Sequence, residues 1–364
     1  MDRRALLAVA AIVALFATVQ LGALALVTPF ESAGLQATEN PSDPTNSLVY
    51  VGAILVATAV MLAAFRFGVD GLVRLLVTVS ATYLAFYVFS VLVPPLVVVS
   101  EVNVLAVVPA LLRAVGLLAY PEWYVIDSAG VVMGIGAAAL FGISFGVLPA
   151  ILLLAVLAVY DAISVYGTEH MLTLASGVMD LKLPVVLVIP LTLSYSFLDS
   201  EAERSEASEA SGEERPASAE NPESVEEDGA AAADGGGGEA AAEAETEPEG
   251  EGPEPAEAPD PLERDAFFIG LGDAVMPAVL VASAGFFAPG GVDSLVSGLA
   301  LTLPALAAMV GTLLGLVVLM YQVAKGQAHA GLPLLNGGAI GGYLLGSLAA
   351  GVSLVQALGL GPYL

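Results

Sequence analysis

Two aspartates stand where an acid is costly. Asp273 closes the run Gly270-Leu271-Gly272-Asp273 within the apolar stretch 267–288, and Asp161 follows Tyr160 in the apolar stretch 156–165. A charged side chain in the middle of a bilayer costs several kcal/mol, so an intramembrane aspartate marks a functional site and needs a partner. Asp161 is the partner for Asp273, being the only other acid read as interior to an apolar run. Two carboxyl groups close enough to share a proton can hydrolyse a peptide bond. The ionised one removes a proton from water while the neutral one protonates the scissile carbonyl. Such a pair titrates as a unit, because like charges side by side in a low dielectric cannot both ionise. Gly270 and Gly272 take side chains away from the flanks of Asp273, which suits either close helix packing or an extended substrate backbone. Tyr160 suits either a hydrogen bond to the pair or an interfacial position.

The elements that must position these acids are membrane spans. The chain is 57% hydrophobic with a mean hydropathy of +0.85 and 39 Gly, and runs of about 20 apolar residues span the hydrocarbon of a bilayer. The pattern predicts an all-α polytopic membrane protein with nine spans, at about 5–27, 48–65, 72–99, 103–120, 129–146, 147–167, 266–288, 294–323 and 332–358. The first run is longer than a signal-peptide core, although Ala23-Leu24-Ala25 resembles a cleavage site, and is read as an uncleaved span. Pro94-Pro95 should kink or end the third span. Arg113 in the fourth is close enough to the inner surface to snorkel.

Charge then sets the orientation. The formal net charge is −27, and residues 199–265 hold 24 of the 37 acids with only three Arg. That segment is rich in Glu, Ala, Gly, Pro and Ser, cannot bury enough apolar area to fold and is expected to be disordered. The chain divides accordingly into 1–198 with spans one to six, an acidic loop at 199–262, and 263–364 with spans seven to nine. Arg3, Arg4, Arg66, Arg74, Lys182, the acidic loop and Lys325 all fall on the cytoplasmic side of nine crossings, which leaves the C-terminus outside. Both acids then lie roughly 9–12 Å from the cytoplasmic surface, at 1.5 Å per residue. The acid-rich, lysine-poor composition points to a salt-rich cytoplasm.

Competing chemistries lack their residues. There is no Cys for thiol catalysis or metal ligation, and the two His, His170 and His329, are far apart and near helix ends. A zinc site of the His-Glu-x-x-His type and a serine protease are thereby excluded. No metal or cofactor is expected, and no nucleic-acid partner. A proton-coupled transporter remains an alternative, but its acids should occupy matching positions in two related halves, and no internal repeat is visible.

Tyr160-Asp161, Gly270-Leu271-Gly272-Asp273 and the Pro333 region resemble the Y-D, G-x-G-D and P-A-L motifs of the presenilin and signal-peptide-peptidase family, in the same order over the same nine spans. The compact loops and salt-adapted composition resemble the archaeal branch, of haloarchaeal type. The resemblance implies an intramembrane aspartyl protease that cleaves single-span membrane proteins or remnant signal peptides in the lipid bilayer. It makes Asp161 and Asp273 the catalytic pair and gives the Pro333 region the task of supporting the site and admitting substrate. The third motif departs from the pattern in either register: Pro333-Leu334-Leu335 has Leu for the central Ala, and Ala330-Gly331-Leu332, followed by Pro333, lacks the first Pro. Prepilin-type peptidases share the Asp and G-x-G-D pair and are the second alternative. The sequence does not specify the natural substrate, any accessory subunit or the oligomeric state.

One further stretch bears on substrate. Residues 185–189, Val185-Val186-Leu187-Val188-Ile189, are β-branched, bounded by Pro184 and Pro190 and too short to span. A substrate helix has its amides internally bonded, and unwinding it in lipid requires new partners, which the edge of a strand would supply. This stretch is expected to pair with residues near 266–268, as the resemblance also implies.

Overall fold

A computed structural model describes residues 3–99, 102–167, 184–190, 196, 266–323 and 330–360. All of them belong to one compact unit formed by residues 1–200 and 260–364. The amphipathic stretch to Asp180, the acidic segment 199–262, Lys182, Lys325, His170 and His329 lie outside the described residues.

Long apolar runs form helices because their backbone groups have no other partners in lipid. In order these are α1 (Arg3–Ser32), α2 (Thr45–Arg66), α3 (Asp70–Leu92), α4 (Val104–Ala119), α5 (Trp123–Ser144), α6 (Val147–Gly167), α7 (Leu271–Phe286), α8 (Leu303–Val323), α9 (Gly331–Ala349) and the short α10 (Leu354–Ala357). Among the described residues seven helices are long and apolar enough to cross a membrane, while α4 and α7, at 16 residues each, fall below that length. Large apolar side chains such as Leu48, Val49, Leu55, Val56 and Val60 of α2 stand exposed. A soluble protein does not tolerate so wide an apolar surface, and here it meets hydrocarbon.

Among the described residues three antiparallel ribbons form, and each takes up residues that the apolar pattern gave to a span. The third helix stops at Leu92, before Pro94-Pro95, and β1 (Val98–Val99) pairs with β2 (Val102–Asn103). Residues 294–302 are no helix: β5 (Ser294–Val296) turns through Gly298, at φ +84°, into β6 (Leu299–Thr302). Residues 266–270 are a strand, so α7 begins five residues later than expected and Asp273 lies in its first turn. The ninth helix ends at Ala349 and is followed by α10. The fifth begins at Trp123, six residues early, and so takes in Asp127.

The helix α7 runs through the middle of the unit. It is buried along nearly its whole length from Leu271 to Ala284 and touches α1, α5, α6, α8 and α9. The tightest packing joins α8 to α9. A Cβ at Gly311 or at Gly338 would overlap the carbonyl of the other, and Gly342 and Gly315 stand equally close to Ala307 and Leu334. Without a hydrophobic driving force between helices in lipid, this backbone-to-backbone approach is what van der Waals attraction can use. Replacing Gly338 by Leu should therefore push α9 off α8 and cost about 1–3 kcal/mol or more. Thermal unfolding in detergent measures this, and an unchanged melting temperature would show that the contact contributes little.

Candidate active site

Asp161 lies six residues before the end of α6 and is 6% exposed. Its Oδ2 accepts a hydrogen bond of 3.0 Å from the backbone N–H of Leu332, and the Gly331 amide also faces it. This contact explains how α9 begins. The first four N–H groups of a helix lack intrahelical partners, and Ala330 at the N-cap has no side-chain oxygen to offer. A carboxylate from α6 does the capping instead, at the end of the helix where the macrodipole favours negative charge.

The same helix end approaches Asp273. A Cβ at Gly331 would lie 3.7 Å from Asp273 Oδ2 and 3.2 Å from Leu319 Cδ2 of α8. Asp273 is partly buried in the first turn of α7, and the two carboxylates are close enough to interact electrostatically. Residues 331–332 thus bring together acids that are 112 positions apart in the chain. The α9 end is fixed from behind by Asn336, fully buried, whose Nδ2 donates to the Leu154 carbonyl of α6 at 3.0 Å. Ser164 completes this end of α6, its hydroxyl bonding the carbonyls of Tyr160 and Asp161.

The other residues singled out in the sequence fall into two groups. Gly270 and Gly272 are exposed; a Cβ at Gly272 would meet nothing within 4 Å, and one at Gly270 only the Asp273 carboxyl. Their lack of side chains leaves open space beside Asp273 and does not serve helix packing. Tyr160 is 42% exposed, and its hydroxyl makes no hydrogen bond to either carboxyl among the described residues. By contrast Leu271 is buried against the Gly134 position of α5, Leu335 is buried in the core, and the Leu334 carbonyl abuts Gly315. Pro333 occupies the third position of α9, in the first turn, where its missing N–H costs nothing.

The apolar run between the two prolines forms β3 (Val186–Pro190), one residue later than expected. It pairs antiparallel with β4 (Ala266–Gly270) in the register Val186↔Gly270, Leu187↔Ile269, Val188↔Phe268. Val185 precedes the strand, and its carbonyl accepts the Leu271 N–H at 2.8 Å, so the sheet runs directly into α7 and Asp273.

The sequence reading missed Asp127. It is 9% exposed in α5, and its Oδ1 accepts the Val188 N–H at 2.8 Å. Asp161 is therefore not the only second acid inside an apolar helix. The signal was present: Trp123-Tyr124 opens the apolar run before Asp127, so a span started there would have enclosed it.

The family described as signal-peptide peptidase, presenilin aspartyl protease matches residues 13–352. The chain belongs to this family. It is accordingly an intramembrane aspartyl protease, a multi-pass membrane enzyme that acts on transmembrane protein substrates. Two crystal structures of a presenilin family intramembrane aspartate protease, in space groups C222 and P2, are similar to it at 29% identity. The first covers 94% of this chain and 99% of its own with a TM-score of 0.58; the second covers 93% and 97% with 0.55. No curated protein matches.

In a protease of this family the approach of Gly331 to both acids should be sensitive to bulk. Gly331→Ala adds one carbon at ordinary contact distance from Asp273 and should keep turnover within about threefold, whereas the branched Gly331→Val should lower it at least about tenfold through overpacking. Steady-state cleavage of a single-span peptide in detergent separates the two.

Proposed function

We propose that Asp161 and Asp273 are the catalytic pair of this protease. The observation that carries the reading is the convergence of both carboxyls on the N-terminus of α9, with Leu332 bonded to Asp161 and Gly331 against Asp273. In the reaction one carboxylate takes a proton from water, the water oxygen attacks the scissile carbonyl carbon, and the other carboxyl gives its proton to the carbonyl oxygen. Collapse of the tetrahedral species expels the amine, which takes up a proton from the pair. Asp161 already accepts backbone N–H groups, which stabilise its ionised form, so it serves best as the base, and Asp273 is the proton donor.

The motif register that fits this site is Ala330-Gly331-Leu332-Pro333, because Gly331 and Leu332 are the residues at the carboxyls while Leu334 and Leu335 pack behind them. Gly270, Gly272 and Tyr160 line the open flank where an extended substrate would lie. Strand addition to the β3–β4 sheet supplies that substrate with backbone partners beside Asp273, and Val185, Val186 and Leu187 hold the sheet in place.

The wider arrangement follows the same reading: nine crossings, with α4 and α7 as the short ones, N-terminus and acidic loop cytoplasmic and C-terminus outside. The membrane parts are 1–198 and 263–364, joined by the acidic segment 199–262, and the membrane is a haloarchaeal cell membrane. Positive charge near the ends of spans and the −21 carried by residues 199–265 support it.

Asp161→Asn and Asp273→Asn should each abolish cleavage of a single-span peptide while leaving melting behaviour intact. The double variant should be no worse than either single one, because residues that act as a unit are non-additive. Substantial turnover by either Asn variant would refute the assignment. Deleting 205–258 should preserve folding and most activity; failure of the shortened chain to accumulate would show that the loop has a structural or partner role.

A further inference from the structure

The β3–β4 sheet has two outer edges, and they are not alike. In an antiparallel pair the backbone groups of successive residues point alternately into the ladder and away from it. The Leu271 N–H donates to the Val185 carbonyl, so with the observed register Leu187 and Ile189 point toward β4, while Pro184, Val186, Val188 and Pro190 point away. Along that outward edge Pro184 and Pro190 have no N–H to give, and the Val188 N–H is bonded to Asp127 Oδ1 at 2.8 Å. Helix α5 lies over the same edge: a Cβ at Gly130 would be 3.1 Å from the Pro184 carbonyl. On β4 the outward groups are those of Ala266, Phe268 and Gly270, all with an N–H. Phe268 is 42% exposed and Gly270 is exposed too.

We infer that Asp127 is a positioning residue that closes the outer edge of β3 and holds the β3–β4 sheet against α5, so that only the β4 edge, at Phe268 and Gly270, stays open. The inference rests on the strand-addition reading above and assigns Asp127 as a positioning residue. An unpaired strand edge is a template for any extended chain, and proteins block such edges with prolines, charges or a covering element. Here all three act on one strand. A buried Val188 N–H left without its acceptor would seek another, and an unwound substrate offers carbonyls that would compete for it at the wrong edge. Asp127 also fixes the sheet to α5, so its loss lets the strand pair move relative to Asp273.

The test uses the full chain in detergent, a single-span peptide substrate and mass spectrometry of the products, with a dyad-directed transition-state analogue as the probe of an intact site. Asp127→Leu should lower kcat/KM for the main bond at least about tenfold and add cleavage positions, while the analogue binds within about threefold of wild type. Asp127→Asn keeps an acceptor oxygen and should restore the single product pattern. If Asp127→Leu does not accumulate, Asp127→Ala carries the same comparison. Cleavage of the same bond at unchanged kcat/KM by the Leu variant, or equal damage in Asn and Leu, would overturn the role of Asp127. A separate arm replaces Phe268 by its hydroxy-acid analogue, which deletes the outward N–H and leaves the β3–β4 ladder intact. Turnover should fall at least about fivefold with analogue binding retained. An unchanged rate there would overturn strand addition itself, whereas loss there with no effect at Asp127 would overturn only the closed edge.

Discussion

The contact between the Asp161 carboxyl and the N–H groups that open α9 is the constraint on which the rest of the site depends. It solves two problems at once. A helix end inside the membrane needs acceptors for its free amides, and a buried carboxylate needs donors. Each is the other's partner, so neither α6 nor α9 can move without exposing an unsatisfied group. Because Gly331 also stands against Asp273, the start of α9 acts as a spacer between the acids. The protein obtains a close carboxyl pair by making one of them part of a helix cap.

Packing behind this contact has to be rigid, and the glycines of α8 and α9 make it so. Gly311, Gly315, Gly338 and Gly342 let two backbones touch, which fixes the height of Gly331 relative to Leu319 and hence to Asp273. Asn336 adds a buried tie from α9 to α6. In front of the acids the design is the opposite: Gly270 and Gly272 leave room, and a short sheet ends at the first turn of α7. In the proposed strand addition a substrate span loses helix before it is cut, and a site that is tight behind and open beside a strand edge suits that.

The broad class and the two acids were legible because both depend on local composition: apolar length gives a membrane helix, and an acid within one is conspicuous. The pairing of 185–189 with residues near 266–268 was legible, but the point where strand gives way to helix was not. Ala266-Phe267-Phe268-Ile269-Gly270 is as apolar as the helix that follows, so the seventh span reads through it, and only its pairing with β3 makes it extended. The same ambiguity hid the β5–β6 hairpin within residues 294–302. Asp127 is hard to see in the sequence because it sits beside Glu122 and the interfacial pair Trp123-Tyr124, and its partner is a backbone amide 61 positions away, which no side-chain motif announces. The capping of α9 by Asp161 was invisible for the same reason. The Gly331-Leu332 amides carry no side-chain signature.

The coupling of the two carboxyls is the most direct thing to measure. Infrared difference spectroscopy of the protein in detergent, titrated across its active pH range, reads the protonated-carboxyl stretch of a buried acid. The pair should show one shared proton throughout the range of activity, and replacing Asp161 by Asn should change the pH at which the Asp273 band titrates, since a neighbouring charge has been removed. An Asp273 band that titrates identically with and without Asp161 would mean that the acids do not act as a pair, and the proposed mechanism would be wrong.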